Sequence, residues 1–394
     1  MGRLQKSAFI ICEAPAYILP PKYFKMPLIA EKQKKMASSK AEKTSLKTKQ
    51  KVFTVASLYA GIGGICRAFQ NAGAKIVWAN EFDKYAQITY RLNFSHRLLP
   101  GDISEYESKL DYLLSCDAKP EERLEVPDIL TSGFPCQAFS IAGRRLGFED
   151  LRGLHFFKTL TFLKKLKPQA YLFENVKNLN GHNKGDTIAR IKEAIHQAGY
   201  SYVVKTLNTM DYANIPQNRE RVFIIGFKDE AHFNNPEQCK MALLKQATRT
   251  EAFMKCFPGP IQLKRSVREL LENNVDTRYY YEKFRCHALL KKFVTKMDTV
   301  YQWRRVYARE NKSNVCPTLT ANMGTGGHNV PLVLDRQGIR KLTPRECARF
   351  QGFKDNELIF PRDLAQSHLY KQVGNSVTVP IVGRLAESIL KAIA

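Results

Sequence analysis

Gly133-Phe134-Pro135-Cys136-Gln137 holds the densest chemistry in the chain, and it follows the β-rich run Asp128 to Thr131. A cysteine on a loop at the carboxyl edge of a sheet can be exposed and partly ionised, and the thiolate is the nucleophile. A buried structural thiol is the other reading of the same residue. Phe173-Glu174-Asn175-Val176 ends the next buried run, Ala170 to Phe173, which would set a carboxyl group beside Cys136. Partial desolvation should raise its pKa, so Glu174 could hold a proton and donate it. Glu174 could equally cap a helix. Gln217-Asn218-Arg219-Glu220-Arg221-Val222 leads into a third run, Arg221 to Gly226. Its alternating charge suits a salt-bridged surface, but an arginine entering a strand from a loop can also clamp a polar ligand atom.

A second group of residues suits a nucleotide-type cofactor. Gly61-Ile62-Gly63-Gly64 lies between a strand and a helix, where missing side chains let backbone approach a ligand. It lacks G-K-[ST], so it is not a phosphate-binding P-loop. Glu81 ends the second strand twenty residues on, where an acid commonly holds ribose hydroxyls. Asp102, after the third strand, could accept from an adenine amino group.

These residues need a scaffold that brings strand ends together. Short apolar runs (Val52 to Leu58, Lys75 to Ala79, Asp128 to Thr131, Ala170 to Phe173, Arg221 to Gly226) alternate with helical stretches to Gly73, over Leu154 to Leu166 and over Thr187 to Ala198. That alternation predicts an α/β domain with a mainly parallel sheet over residues 51–227. Residues 228–338 lose the alternation and predict a second, smaller domain. Over 339–394, Thr343-Pro344 opens a helix to Phe350, and a last helix over Ile381 to Ile393 packs back on the first domain. Residues 1–50 are lysine-rich with little apolar periodicity, which predicts a disordered basic arm, either inert or bound to phosphates.

Composition narrows the partners. The net charge is +25 over 394 residues, which points to a polyanion, nucleic acid first and a membrane surface second. No apolar run is long enough to span a membrane and the start is a poor secretory signal, so a cytoplasmic protein is expected. The nine cysteines include no C-x-x-C pair, so neither a metal site nor a disulfide framework is expected, and most should be buried thiols.

Taken in order, SLYAGIGG, NEFD, GDIS, SGFPCQAFSIAG, GFEDLRGLHFF, LFENVKNL, NIPQNRERVFIIGF, TPRECARFQGF and QVGNSV resemble the motif set of the DNA (cytosine-5) methyltransferases of bacterial restriction-modification systems. The likeness runs from about residue 52 to 394. It implies a Rossmann-like methyltransferase fold with a target-recognition domain, S-adenosylmethionine as methyl donor and double-stranded DNA as substrate. It also implies a monomer, with a cognate endonuclease acting on the same site.

Carried over residue by residue, the resemblance makes Cys136 the nucleophile toward carbon 6 of a flipped cytosine. Glu174 would meet ring nitrogen 3 and the amino group, and Arg221 with Arg219 would anchor the ring carbonyl and the catalytic loop. Tyr59, where the family usually has Phe, would stack on adenine. Glu81 would hold the ribose, Phe82 would pack on adenine, and Asp102 with Ile103 would read its edge. Gly61, Gly63, Gly64, Pro135, Leu154, Asn375 and Val377 would complete the cofactor site. Gln137, Ser140 and Arg152 fall in a loop that closes over DNA, and Arg304, Arg305, Thr318 and Leu319 fall in the recognition region. Three rivals remain: a tRNA methyltransferase using the same Cys and Glu, an inactive DNA-binding relative, and an NAD-type oxidoreductase, which leaves the Cys and ENV motifs unexplained.

Overall fold

The computed structural model describes residues 51–135, 154–228, 248–311, 313–325 and 328–394. The basic arm expected over residues 1–50 lies outside them, as do Cys136, Gln137, Ser140 and Arg152.

A seven-stranded sheet forms the centre. Its strands are β1 (Thr54–Leu58), β2 (Lys75–Glu81), β3 (Arg97–Pro100), β4 (Ile129–Ser132), β5 (Ala170–Val176), β6 (Val203–Asn208) and β8 (Glu220–Phe227), with the two-residue β7 (Gln217–Asn218) outside it. The order across the sheet is β3-β2-β1-β4-β5-β8-β6. Strands β1 to β5 run parallel, and β8 runs antiparallel to both β5 and β6. The expected mainly parallel sheet is thus present, with one reversed strand. Strand β6 escaped the sequence reading because it is a partly exposed edge strand, VVKTLN, without a continuous apolar run.

Period-two alternation divides the sheet into two buried faces. Val55, Ile76, Ile129, Leu172, Phe223 and Ile225 point to one core, shared with α1 (Gly64–Asn71) and the final helix α11 (Val379–Ile393). Ala56, Leu58, Leu130, Tyr171, Phe173, Val222 and Ile224 point to the other, shared with α5 (Leu154–Leu166) and α6 (Asp186–Gln197). The final helix therefore does pack back on the sheet, against α1.

Smaller helices finish the frame: α2 (Lys84–Asn93), α3 (Ile103–Glu107), α4 (Leu110–Leu114), α7 (Thr209–Tyr212), α8 (His287–Lys291), α9 (Pro344–Phe350) and α10 (Gln366–Asn375). Helix α9 starts where Thr343-Pro344 predicts. Glu346 N donates to Thr343 Oγ1 at 3.1 Å, and Thr343 N donates to a Glu346 carboxylate oxygen at 2.8 Å.

The smaller layer is an antiparallel sheet of β9 (Tyr301–Trp303), β10 (Ala308–Glu310), β12 (Val330–Leu334) and β13 (Ile339–Lys341), in the order β10-β9-β12-β13. It has its own core of Leu290, Val294, Tyr301, Trp303, Val330, Leu332 and Ile339. Its last strand ends at Lys341, beyond the boundary expected at 338. A short strand, β11 (Cys316–Pro317), pairs in parallel with β7 and joins this layer to the main sheet. Residues 51–394 pack as one compact unit.

Candidate active site

Because β1 to β5 are parallel, the loops that follow them leave the same edge of the sheet. Strand order reverses between β1 and β4, and a crevice opens outside the carboxyl ends at such a point. The loop after β1 is shaped by three left-handed residues, Tyr59 at φ 54°, Gly61 at 59° and Gly63 at 85°. Gly63 leaves no room for a side chain, since a Cβ would stand 2.1 Å from the Phe94 ring. Gly64 lies equally close to Ser376 Oγ, at 2.6 Å from its would-be Cβ, so the glycine loop and the Gly374-Asn375-Ser376-Val377 block meet. Val377 is buried against this junction, whereas Asn375 is exposed beside it.

Glu81 is 8 % exposed, and its carboxylate accepts from Gly61 N at 2.6 Å and Asp83 N at 2.7 Å. It thus braces the glycine loop. Burial pushes its pKa up, against the pull of those two backbone donors. Next to it Phe82 is 68 % exposed, a large aromatic surface left open at the sheet edge. A cavity of about 490 Å³ adjoins it, lined among others by Asp83, Tyr85, Thr325 and Lys371. Asp102 caps α3 by accepting from Ser104 N at 2.8 Å and lies 3.6 Å from Lys158 Nζ. The Ser104 hydroxyl, with Lys158 beside it, holds the Asp102 carboxyl below the usual range. Ile103, expected to read a ligand edge, instead buries its side chain in the core at 2 % exposure.

The loop after β4 reaches Pro135, the last described residue before Cys136. It is fastened to β5: Asn175 Nδ2 donates to Phe134 O at 3.0 Å. A Cβ on Gly133 would lie 3.9 Å from Glu174 Oε2 and 3.7 Å from Tyr59 O. Glu174 therefore borders the loop that leads to Cys136. It sits inside β5, two residues before the strand ends, so the strand runs on past the Phe173 boundary of the apolar run. Arg221 likewise sits inside β8, opposite Val176 in register, and its Nε lies 3.2 Å from Glu174 Oε1. Burial pushes the Glu174 carboxyl up, opposed by the charges of Arg221 and Arg219.

Arg219 departs from the expected role. It is 1 % exposed, and its guanidinium donates to Leu319 O at 2.7 Å, Gly374 O at 3.1 Å and Ser376 O at 2.6 Å. Its geometry is that of a tie between the smaller layer and the C-terminal block, not of a group reaching a substrate. Leu319, expected to meet DNA, is 2 % exposed and contributes its carbonyl to this tie. Leucine is apolar and the surrounding pocket is the core, so burial is the physical outcome. Thr318 Oγ1 donates to Asn218 O at 2.7 Å in the same joint. Arg304 donates through Nη1 to Gln302 Oε1 at 3.2 Å and to Asn329 Oδ1 at 2.8 Å. Arg305, exposed at φ 71°, stands at the turn between β9 and β10.

A glycine loop, a braced acid at the end of β2 and a partly buried Glu–Arg pair thus share one edge with the loop leading to a cysteine. The family model for C-5 cytosine-specific DNA methylase matches residues 53–391 of the chain. The chain belongs to that family, and it is an enzyme that methylates carbon 5 of cytosine in DNA. Type II methyltransferase M.Bsp6I of Bacillus sp. (strain RFL6) is 46 % identical over 346 residues, covering 86 % of this chain and 98 % of that protein. Type II methyltransferase M.HhaI of Haemophilus parahaemolyticus is 33 % identical, covering 84 % and 92 %. The crystal structure of the S. pombe Dnmt2 methyltransferase superposes with a TM-score of 0.62 at 20 % identity, covering 86 % of this chain and 99 % of that one. That likeness shows the fold.

Within this cytosine-5 methylase, several site-forming residues escaped the sequence reading. Gln217 is fully buried; its Nε2 donates to Phe350 O at 2.6 Å, and its Oε1 accepts from Leu319 N at 3.2 Å. Asn175 fastens the cysteine loop, and His155 and Lys158 lie on the first two turns of α5 against the loops after β1 and β3. Only Gln217 and Asn175 carried a signal, each by its place in a motif beside Arg219 or Glu174. The buried thiols expected from composition are found in Cys66, Cys316 and Cys347, whereas Cys116 and Cys256 are exposed. Leu154 opens α5.

The Arg219 tie predicts a large stability effect. Arg219→Ala orphans three carbonyls, and each buried unsatisfied acceptor costs about 1–3 kcal/mol. Denaturant unfolding should show a loss on the order of 3 kcal/mol or more. Arg219→Lys, which keeps a charge but loses the planar fork, should fall between. An Arg219→Ala protein as stable as the parent would dismiss the tie.

Proposed function

We propose that this chain binds S-adenosylmethionine in the crevice between the loops after β1, β2 and β3, and methylates a flipped cytosine within a specific double-stranded DNA sequence. The observation that carries this reading is the partly buried Glu174–Arg221 pair beside the loop that leads to Cys136. The enzyme is proposed to act as a monomer, as the methylase of a restriction-modification system with an endonuclease of the same specificity.

The described residues suit the cofactor. Among the described residues, no atom beyond its chain neighbours stands within 4 Å of where a Gly61 Cβ would lie, so the loop leaves space where a ligand can approach. Glu81 and Asp102 offer carboxylate acceptors toward hydroxyl and amino groups, and their negative charge suits a cationic ligand. Tyr59 and Phe82 offer aromatic surface for a purine, and Asn375, beside the glycine loop, serves the methionine end. When bound, S-adenosylmethionine supplies an electrophilic methyl group on a sulfonium centre.

The chain's own groups prepare the base to receive it. Cytosine carbon 5 is too weak a nucleophile until a thiolate adds at carbon 6, and Cys136 is the proposed thiolate. Glu174, with its raised pKa, carries the proton that meets ring nitrogen 3, and Arg221 holds Glu174 in place and anchors the ring carbonyl. Loss of the carbon-5 proton and departure of Cys136 restore the ring. Extruding the base costs a few kcal/mol, which the pocket and the segment Gln137 to Arg152 must offset. Sequence choice belongs to residues 228–338, where the exposed Arg305 at a hairpin turn is placed for nucleic acid.

Sequencing of 5-methylcytosine in DNA from cells expressing the chain tests this reading; a single methylated motif is expected. Transfer of labelled methyl to tRNA alone, with none to DNA, would overturn it. For the cofactor, Glu81→Ala should raise the dissociation constant for S-adenosylmethionine by about tenfold or more, because it removes acceptors to the ribose and the brace on Gly61. Calorimetry showing unchanged affinity would remove Glu81 from the site.

A further inference from the structure

Tyr59 stands where the family usually has Phe, and its extra hydroxyl has a specific partner. Tyr59 Oη lies 3.1 Å from His155 Nδ1 and 3.4 Å from His155 O. The two rings meet edge to face, with centroids 5.4 Å apart. Tyr59 has a left-handed backbone, at φ 54°, which β-carbon-bearing residues adopt at a cost. A residue in that conformation needs its surroundings to hold it, and the hydroxyl supplies one of the holds. The contact is built into the helix below: Thr159 Oγ1 donates to His155 O at 3.0 Å and lies 3.2 Å from Ser132 Oγ at the end of β4.

His155 is not isolated on this turn. One turn on, Lys158 reaches the other cofactor-side loop, pairing with Asp102 and the Ser104 hydroxyl. The first two turns of α5 thus hold both walls of the adenine end, Tyr59 after β1 and Asp102 after β3. Burial does most to oppose protonation of His155, the charge of Lys158 adds to it, and Asp102 favours it. Neutral imidazole is the resulting form, one that can pair with a phenol in either tautomer.

We infer that His155 is a positioning residue for the cofactor: its imidazole holds the Tyr59 hydroxyl and thereby fixes the aromatic wall against which the adenine stacks. The inference rests on the proposed cofactor site. It gives the Tyr-for-Phe departure a purpose, because phenylalanine could supply the same π-face but could not be fastened from α5. His155 touches neither the target base nor the reacting atoms, so its effect belongs to binding rather than chemistry.

Calorimetric titration of S-adenosylmethionine into the full-length protein and its variants tests this. Tyr59→Phe and His155→Leu should each raise the dissociation constant about two- to tenfold, the net worth of one hydrogen bond. The double variant should be no weaker than Tyr59→Phe alone, because losing the hydroxyl already removes everything the imidazole holds. His155→Asn, which can place a polar amide near the position of Nδ1, should recover part of the affinity, while melting temperatures without cofactor stay close to the parent value. Tyr59→Phe reads the same contact if His155→Leu proves unfolded. Full additivity in the double variant, or wild-type affinity in Tyr59→Phe, would overturn the inference and leave the cofactor site standing. A parent protein that binds no S-adenosylmethionine would instead remove the site, and this inference with it.

Discussion

Cys136→Ser should reduce methyl transfer by on the order of 10⁴-fold or more, as loss of a covalent nucleophile does elsewhere. The alcohol is far less acidic than a thiol, and no thiolate remains to add at carbon 6. Cofactor affinity should change little, because Glu81, Asp102 and the glycine loop stand on other strand ends. DNA carrying 5-fluorocytosine at the target should become covalently trapped by the parent enzyme and not by the variant, since fluorine cannot leave as a proton does. The trap separates a lost nucleophile from a misfolded chain when paired with calorimetry. A Cys136→Ser enzyme turning over near the parent rate would refute the covalent route.

Glu174→Gln should lower kcat by about 10²- to 10⁴-fold, the usual contribution of a positioned proton donor. The amide keeps the shape and a hydrogen bond to the base, but it has no proton to give up. The pH profile carries the sharper information. Burial raises the Glu174 pKa, and Arg221 only partly offsets this, so the protonated form persists to higher pH than for an ordinary carboxyl. The working form is the protonated one, so the rate should fall as pH rises through that pKa. The same sign holds for folding: a carboxyl raised by burial favours the folded state at low pH, and that contribution is lost as pH rises through the folded pKa. In Glu174→Gln the alkaline limb of kcat due to this group should vanish. A limb that persists unchanged would assign the proton to another residue.

Short apolar runs announce parallel buried strands, so reading residues in order gave the mainly parallel sheet and the loops at its carboxyl edge, but not the strand order. Glu174 was legible as a carboxyl beside the cysteine loop and Arg221 as an arginine entering a strand, but their pairing was not. Polar residues inside a strand look like its end when only apolar runs mark the strand, yet the register of β5 against β8 carries pairing through Val176 and Arg221. Arg219 and Leu319 were misplaced because their motifs are mixed: one arginine of the pair faces the cleft and the other faces the core. Arg219 falls between β7 and β8, so strand alternation does not govern it, and its direction is set by a carbonyl cluster assembled from residues a hundred and more positions away. The smaller layer was opaque for a simpler reason. Its strands are three to five residues long, too short to show a period.

The joint between the two layers is made largely to main chain. Arg219 donates to the carbonyls of Leu319, Gly374 and Ser376, Cys316 N donates to Pro216 O at 2.7 Å, and Thr318 Oγ1 donates to Asn218 O. Gly374 lets the backbone of Thr320 come so near that a Cβ would stand 2.4 Å from its carbonyl. Such a joint takes hold of peptide groups, which every sequence has, and asks little of the side chains beyond it. The hairpin turn at Arg305 and its neighbours can then vary freely while the mount stays the same. Under the proposed function this architecture works as a socket with an interchangeable head: new target sequences would be acquired by exchanging the head, without retuning the catalytic edge beneath it.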